Sequence, residues 1–254
     1  MTPSLLMLLP FGVVVGVGFL FVTLALRRKS ELNHLRMPEA EEALRLSKEF
    51  GNPEEPVWVQ LPNRWMVVHQ VKAAAVRNAL GLHGVHWCTL SDGLQMASQN
   101  RYFISLPIRE WVFVFGSEIP DPSVDPDFLF RFLSDMSREL GTVQFFSCDP
   151  VLGHHAWAWL ESGQVKRAFA WNGTTLWNQG RMTPEERQLK LECPDYFESG
   201  ANPGSAMDSI QQNSDKVTAL AARWGVGPNR LTQRLASGAQ GIVGKRRSPR
   251  GARP

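Results

Sequence analysis

The chain has 254 residues, of which 43% are hydrophobic and 20% are charged, so it can form one domain of ordinary size with appendages. Its three cysteines do not suggest a disulfide framework. The net charge of +3 is unevenly distributed, because residues 27–29 contribute +3 and residues 245–254 contribute +5, which leaves −5 for the remainder. An acidic body of this kind argues against broad nucleic-acid binding by a folded domain.

The N-terminal segment is predicted to cross a membrane. Residues 2–26 carry no charge, and residues 4–26 are long enough to span a bilayer as a helix. No basic segment precedes this run, which makes it atypical of a cleaved signal peptide, the alternative interpretation. Arg27, Arg28 and Lys29 follow the run, so the positive-inside rule predicts a single-pass membrane protein whose bulk faces the cytoplasm.

The rest of the chain divides by composition into four regions. Residues 27–56 are polar and helix-prone, which is typical of a juxtamembrane helical spacer. We expect an α+β domain over 57–198 and a C-terminal helical appendage over 199–240. Residues 241–254 are basic and are expected to form a disordered tail.

The α+β domain begins with short elements. VWVQLP (57–62) and RWMVVHQ (64–70) have the composition of strands joined by a turn. Helices are predicted over 71–82 and from Ser91 onward. TPEERQLK (183–190) is predicted to start a further short helix with a capping box between Thr183 and Glu186.

Residues 101–180 are predicted to form a tryptophan-rich, mainly antiparallel sheet with one helix laid across it. EWVFVFG (110–116) is apolar on both faces, which is typical of a central strand covered twice. Asp125 is suited to cap the helix N-terminus and Gly141 its C-terminus. The apolar stripe of that helix is Phe128, Leu129, Phe132, Leu133, Met136 and Leu140.

Two strands joined at Ser162-Gly163 are predicted to place aromatic and alanine side chains on opposite faces. The alanine face would let the 125–140 helix approach closely. The aromatic face is either a second core layer, which the usual burial of large aromatics favours, or a binding surface. The candidate binding surface consists of His155, Trp157, Trp159, Arg167, Phe169 and Trp171.

Two sets of residues could carry chemistry. Cys148 with His154 or His155 could be a nucleophile and its base, although no oxyanion-hole signature accompanies them. The group His83, His86 and Cys88 contains ligand types for zinc, but its spacing does not match known sites, so no metal or cofactor is predicted.

Residues 215–235 include ALAARWGVGPNRLTQRL, which has the spacing of a helix-turn-helix and local positive charge. Pro228 crowds the second helix, and the body of the chain is acidic. A pair of packing helices is therefore favoured over a nucleic-acid module.

The stretches HHAWA (154–158) and AWNGTTLWNQG (170–180), together with a later LAARW, resemble a set of uncharacterised bacterial proteins of similar length. The resemblance covers roughly 76–224. That family has no assigned activity, so the resemblance implies no catalytic residues.

These patterns favour a membrane-anchored, cytoplasm-facing module that binds a protein partner, such as an adaptor or an immunity-type protein that neutralises a toxin. The alternatives are a hydrolase-like enzyme that uses Cys148 and His154 or His155, or a nucleic-acid binder that uses residues 215–235. The partner and the oligomeric state do not follow from the sequence.

Overall fold

The computed structural model of the protein describes residues 62–196, 210, 212–225, 227–228, 231 and 240–246. They lie within the second of two compact units, residues 53–254. The predicted anchor at 4–26, the spacer at 27–56 and most of the expected strand at 57–62 lie outside the described residues. None of the described helices has the length and apolar character needed to span a bilayer.

The described part of the chain contains nine strands and five helices. The strands are β1 Arg64–His69, β2 Leu82–Thr89, β3 Tyr102–Ser105, β4 Trp111–Gly116, β5 Thr142–Asp149, β6 His154–Glu161, β7 Gln164–Trp171, β8 Thr175–Gln179 and β9 Gln240–Arg246. The helices are α1 Ala73–Ala79, α2 Leu90–Ala97, α3 Pro126–Leu140, α4 Pro184–Gln188 and α5 Asn213–Trp224.

All nine strands belong to one sheet, in the order β2-β9-β3-β4-β1-β5-β6-β7-β8, and every neighbouring pair is antiparallel. The predicted α+β class with an antiparallel sheet is confirmed. β4 lies in the interior of the sheet and is buried on both faces, as its two-sided apolar pattern predicts.

One face of the sheet is covered by α1 and α3. Ala156 and Ala158 of β6 and Ala168 and Ala170 of β7 all face this side and are buried. Because alanine projects only a β-carbon, α3 packs closely against β5, β6 and β7. The predicted position of this helix on the alanine face is confirmed.

The opposite face carries a row of aromatic side chains, covered by α2 and α5. Adjacent strands align these residues directly opposite one another, and the rings of Trp65 and Phe146 stack with centroids 5.5 Å apart. In order across β3, β4, β1, β5, β6 and β7, the row is Phe103, Phe115, Trp65, Phe146, Trp157 and Phe169, and all six are buried.

The ends of α3 follow the sequence prediction. The side chain of Asp125 accepts a hydrogen bond from the Phe128 backbone at 2.8 Å, and Gly141 ends the helix with a φ of 87°. Phe128 departs from the predicted apolar stripe, because it lies on the outer side of the first turn and is 46% exposed.

The prediction that residues 241–254 form a disordered tail is wrong for 241–246, and the helical appendage does not extend to Gln240. β9 is an interior strand between β2 and β3, with Ile242 and Val243 buried. A β-carbon at Gly241 would collide with the Ile104 carbonyl, so glycine allows the close fit. The apolar residues of β9 stand between glycines and basic residues, so the strand has a weak local signal. Its pairing with β2 on one side and β3 on the other holds it in place.

We expect a chain that ends at Arg246 to keep its stability and a chain that ends at Ala239 to lose it. The shorter chain lacks the buried Ile242 and Val243, each worth about 1.5–3 kcal/mol, and leaves β2 and β3 without their shared partner. Urea unfolding followed by tryptophan fluorescence compares the two. Equal unfolding midpoints would show that β9 is dispensable.

Candidate functional site

The candidate binding surface predicted from the aromatic face is not exposed. His155, Trp157, Arg167, Phe169 and Trp171 are all buried, and Trp159 is only partly accessible. α4, α5 and the segment that follows α4 cover these side chains. An exposed aromatic platform is therefore wrong, and the face is the second core layer that the burial of large aromatics favoured.

An ion pair lies in this layer. Nε of Arg167 donates to Oε1 of Glu186 at 2.7 Å, with the two side chains 2% and 0% exposed. The same oxygen accepts from Nε1 of Trp157 at 2.7 Å, and Oε2 accepts from the backbone of Thr183 at 2.6 Å. The predicted capping box between Thr183 and Glu186 is confirmed, and its carboxylate also binds the sheet.

A second nitrogen of Arg167, Nη1, reaches the edge strand β8. Nη1 donates to Oδ1 of Asn178 at 2.7 Å and to the carbonyl of Ala168 at 3.0 Å. The amide nitrogen of Asn178 in turn donates to Oδ1 of Asp195 at 3.1 Å. This network fastens residues 181–196 over the aromatic face, so its role is structural.

His155 is held as a neutral imidazole. Its Nδ1 donates to the carbonyl of Gly153 at 3.1 Å, and Nε2 accepts from the side-chain amide of Asn213 at 3.4 Å. Burial is the main cause that lowers the pKa of His155 to about 4. At neutral pH the ring links the sheet to the start of α5 without a charge.

The pair of Cys148 with a histidine is not arranged for nucleophilic catalysis. The register of β5 and β6 places Cys148 opposite His155, but both nitrogens of that ring are engaged elsewhere. Burial raises the pKa of the Cys148 thiol to about 11, so the reactive thiolate is disfavoured. Nδ1 of His154 lies 3.4 Å from Oγ of Ser123.

The residues considered as metal ligands lie along the edge strand β2. His83 and His86 are exposed, whereas Cys88 is partly buried and its thiol pKa is raised to about 12 by burial. Within the part of the chain that the structure describes, no three His, Cys, Asp or Glu side chains are placed to hold a metal ion.

The first helix of the predicted helix-turn-helix corresponds to α5, which packs against β5 and β6. Val217, Leu220 and Trp224 are buried, and the Trp224 carbonyl accepts from Gln144 at 3.2 Å. α5 is therefore a core-covering helix. Most of the predicted second helix in residues 215–235 lies outside the described residues.

A set of exposed apolar side chains lies at one end of the sheet, and we call it the exposed apolar end: Val124, Phe128, Val151 and Leu152. Val151 and Leu152 are 93% and 60% exposed, at the tip of the turn between β5 and β6. Oδ1 of Asp149 accepts from both of their backbone amides at 3.1 Å. The turn is thereby held in shape with its apolar tip in solvent.

The loop before α3 supplies the other half of this end. Val124 is 83% exposed and stands just before the helix cap. The contact between Ser123 and His154 brings this loop beside the β5–β6 turn, and Nη1 of Arg64 pairs with Oδ2 of Asp121 at 2.8 Å. The register places the start of β1 and the ends of β4 and β5 at this same end.

Aspartates surround the exposed apolar end. Asp121 belongs to the Arg64 ion pair, while Asp125 and Asp149 use one oxygen each to cap backbone amides. Asp127 is exposed in the first turn of α3 and makes no hydrogen bond or ion pair among the described residues. The result is an apolar centre with an acidic rim.

Sequence reasoning missed this site because it sought apolar residues in strands and helices. The available signal was the apolar pair Val151-Leu152 between Asp149-Pro150 and Gly153, and Val124 immediately before the helix N-cap Asp125. Apolar side chains within a proline-, aspartate- and glycine-rich turn have no regular face by which to be buried.

Comparison with protein-family models, with curated proteins and with solved structures finds no significant match. The resemblance to the uncharacterised bacterial family stays a prediction.

Replacing Arg167 by Met should destabilise the fold by about 3–5 kcal/mol, because Glu186 would remain buried without its cation. Lys166→Met is the matched control, since the neighbouring Lys166 pairs with Glu161 in solvent and should change stability by less than about 1 kcal/mol. Urea unfolding of the two variants measures the difference. Similar losses of stability in the two variants would show that the buried ion pair contributes no more to stability than the exposed one.

Stability should fall as the pH drops from about 6.5 to 4. The unfolded chain protonates His155 near its ordinary pKa while the folded chain does not, so protons favour unfolding by up to about 3 kcal/mol below pH 4. His155→Gln should lack this component of the pH dependence. Urea midpoints of both proteins between pH 7 and pH 4 test this, and parallel curves would contradict it.

Proposed function

We propose that the protein is a membrane-tethered, cytoplasm-facing interaction module, of adaptor or immunity type, that binds a protein partner through the exposed apolar end. The observation that carries this proposal is the distribution of exposed large apolar side chains. The described residues include six exposed large apolar side chains, and four of the six lie at this end.

The other two exposed apolar residues have contacts within the fold. Phe130 meets the ring of Trp177 edge-on with centroids 5.8 Å apart, and the hydroxyl of Tyr196 accepts from the Asn178 backbone at 2.9 Å. Val124, Val151 and Leu152 therefore stand out as side chains whose exposure no local contact explains. Clustered exposed apolar side chains rimmed by polar groups are typical of protein interfaces.

The rigidity of the site supports the same proposal. Asp149 fixes the β5–β6 turn, Asp125 fixes the start of α3, and the Arg64–Asp121 pair ties the intervening loop to β1. A surface already held in one shape loses little conformational entropy when a partner binds.

The point of chain entry fits a tethered module. The carbonyl of Asn63 accepts from the Cys148 backbone at 2.9 Å, so the chain enters the described domain beside the exposed apolar end. The described domain therefore begins at the end that carries the exposed apolar side chains.

The test places a photo-crosslinking amino acid at Val151 of the full-length protein in cells. Gln164 is the matched control, because it is exposed at the turn between β6 and β7, at the far end of β6. We expect a discrete protein adduct from position 151 and none from 164. Leu152→Ser, which leaves the turn bonds of Asp149 in place, should reduce that adduct severalfold.

Indistinguishable adducts from positions 151 and 164 would contradict the proposal. Nuclease treatment before analysis separates a direct protein contact from one that passes through nucleic acid. An adduct that disappears on nuclease treatment would also count against a protein partner at this end.

A further inference from the structure

We infer that the segment bound at the exposed apolar end is basic: a polypeptide of a partner protein that presents Lys or Arg side chains beside an apolar anchor. This inference rests on the proposed function and adds the chemistry of the partner. It comes from the charges around the four apolar side chains.

The carboxylates of the rim keep free acceptor atoms. Asp125 and Asp149 engage only Oδ1 within the fold, so Oδ2 of each makes no hydrogen bond among the described residues. Asp127 engages neither oxygen there. Three carboxylates can therefore accept charge-assisted hydrogen bonds from a ligand without breaking a bond of the fold.

The nearby cations do not neutralise the rim. Arg64 is committed to Asp121, and Arg131 is one helical turn beyond Asp127 on α3. Arg246 lies over the ring of Phe132, one helical turn along α3 from Phe128. Three arginines against the four aspartates of the rim still leave this end negative. Nδ1 of His154 faces Oγ of Ser123.

The apolar centre and the acidic rim together select a particular class of partner. Valine and leucine side chains at the centre are best covered by an apolar anchor, since interface cores are depleted of charge. Lys or Arg side chains beside that anchor would meet the acidic rim, which aids association and fixes orientation. An anionic lipid surface would be repelled by the same carboxylates, so a polypeptide is favoured over a membrane.

The experiment uses the full-length protein with the photo-crosslinking amino acid at Val151 and identifies the crosslinked peptide by mass spectrometry. We expect that peptide to carry an excess of Lys and Arg. Asp127→Asn should lower the adduct yield about threefold, because one rim charge is lost, and Asp127→Glu should preserve it. Glu139→Gln is the matched control, since Glu139 is exposed three turns further along α3.

Each other outcome overturns the inference. A neutral or acidic crosslinked peptide, or equal yields from Asp127→Asn and Glu139→Gln, would show that charge does not select the partner. Adducts with lipid, with a second copy of the chain, or with the chain's own residues 247–254 would identify another occupant. Lack of any adduct above the Gln164 control would instead remove the proposed function itself.

Discussion

The buried ion pair between Arg167 and Glu186 is the interaction on which the layered structure depends. It joins the aromatic face of the sheet to α4 where neither charge reaches water, and the Trp157 indole completes the carboxylate's hydrogen bonds. Such a pair is tolerated only when nearly every donor and acceptor is satisfied. Arg167 meets that condition through Asn178 and the Ala168 carbonyl, so the covering segment and the edge strand are held in one arrangement.

The two faces of the sheet carry side chains of different size, and this difference decides which elements cover each face. Alanine side chains on β6 and β7 leave room for the long helix α3 to lie directly on the strands. The tall aromatic row on the other face fills its own layer and is closed by α2, α5 and the segment after β8. Since both faces are used for packing, exposed apolar surface gathers where strands end, at the β5–β6 turn and the loop before α3.

Features that depend on neighbouring residues were predictable. The start and end of α3, the Thr183 capping box, the hairpin at Ser162-Gly163 and the opposite faces of β6 and β7 each depend on a few adjacent side chains. β9 and β2 were missed because strands rich in Gly, His or Lys have weak propensity and gain their stability from partners far away in the chain. The candidate site was missed for a related reason, because exposure is a property of the whole fold.

The sequence by itself determined the α+β class, the antiparallel hairpins and which side chains share a face, because backbone periodicity and turn chemistry are local. Only the tertiary structure decided that the aromatic face is core, that Arg167 and His155 are structural, and that Val124, Phe128, Val151 and Leu152 meet at one end. Alternation predicts two faces but does not identify the face that another part of the chain covers. That depends on contacts such as Trp157 with Glu186 and Gln144 with Trp224, which join residues 29 and 80 positions apart.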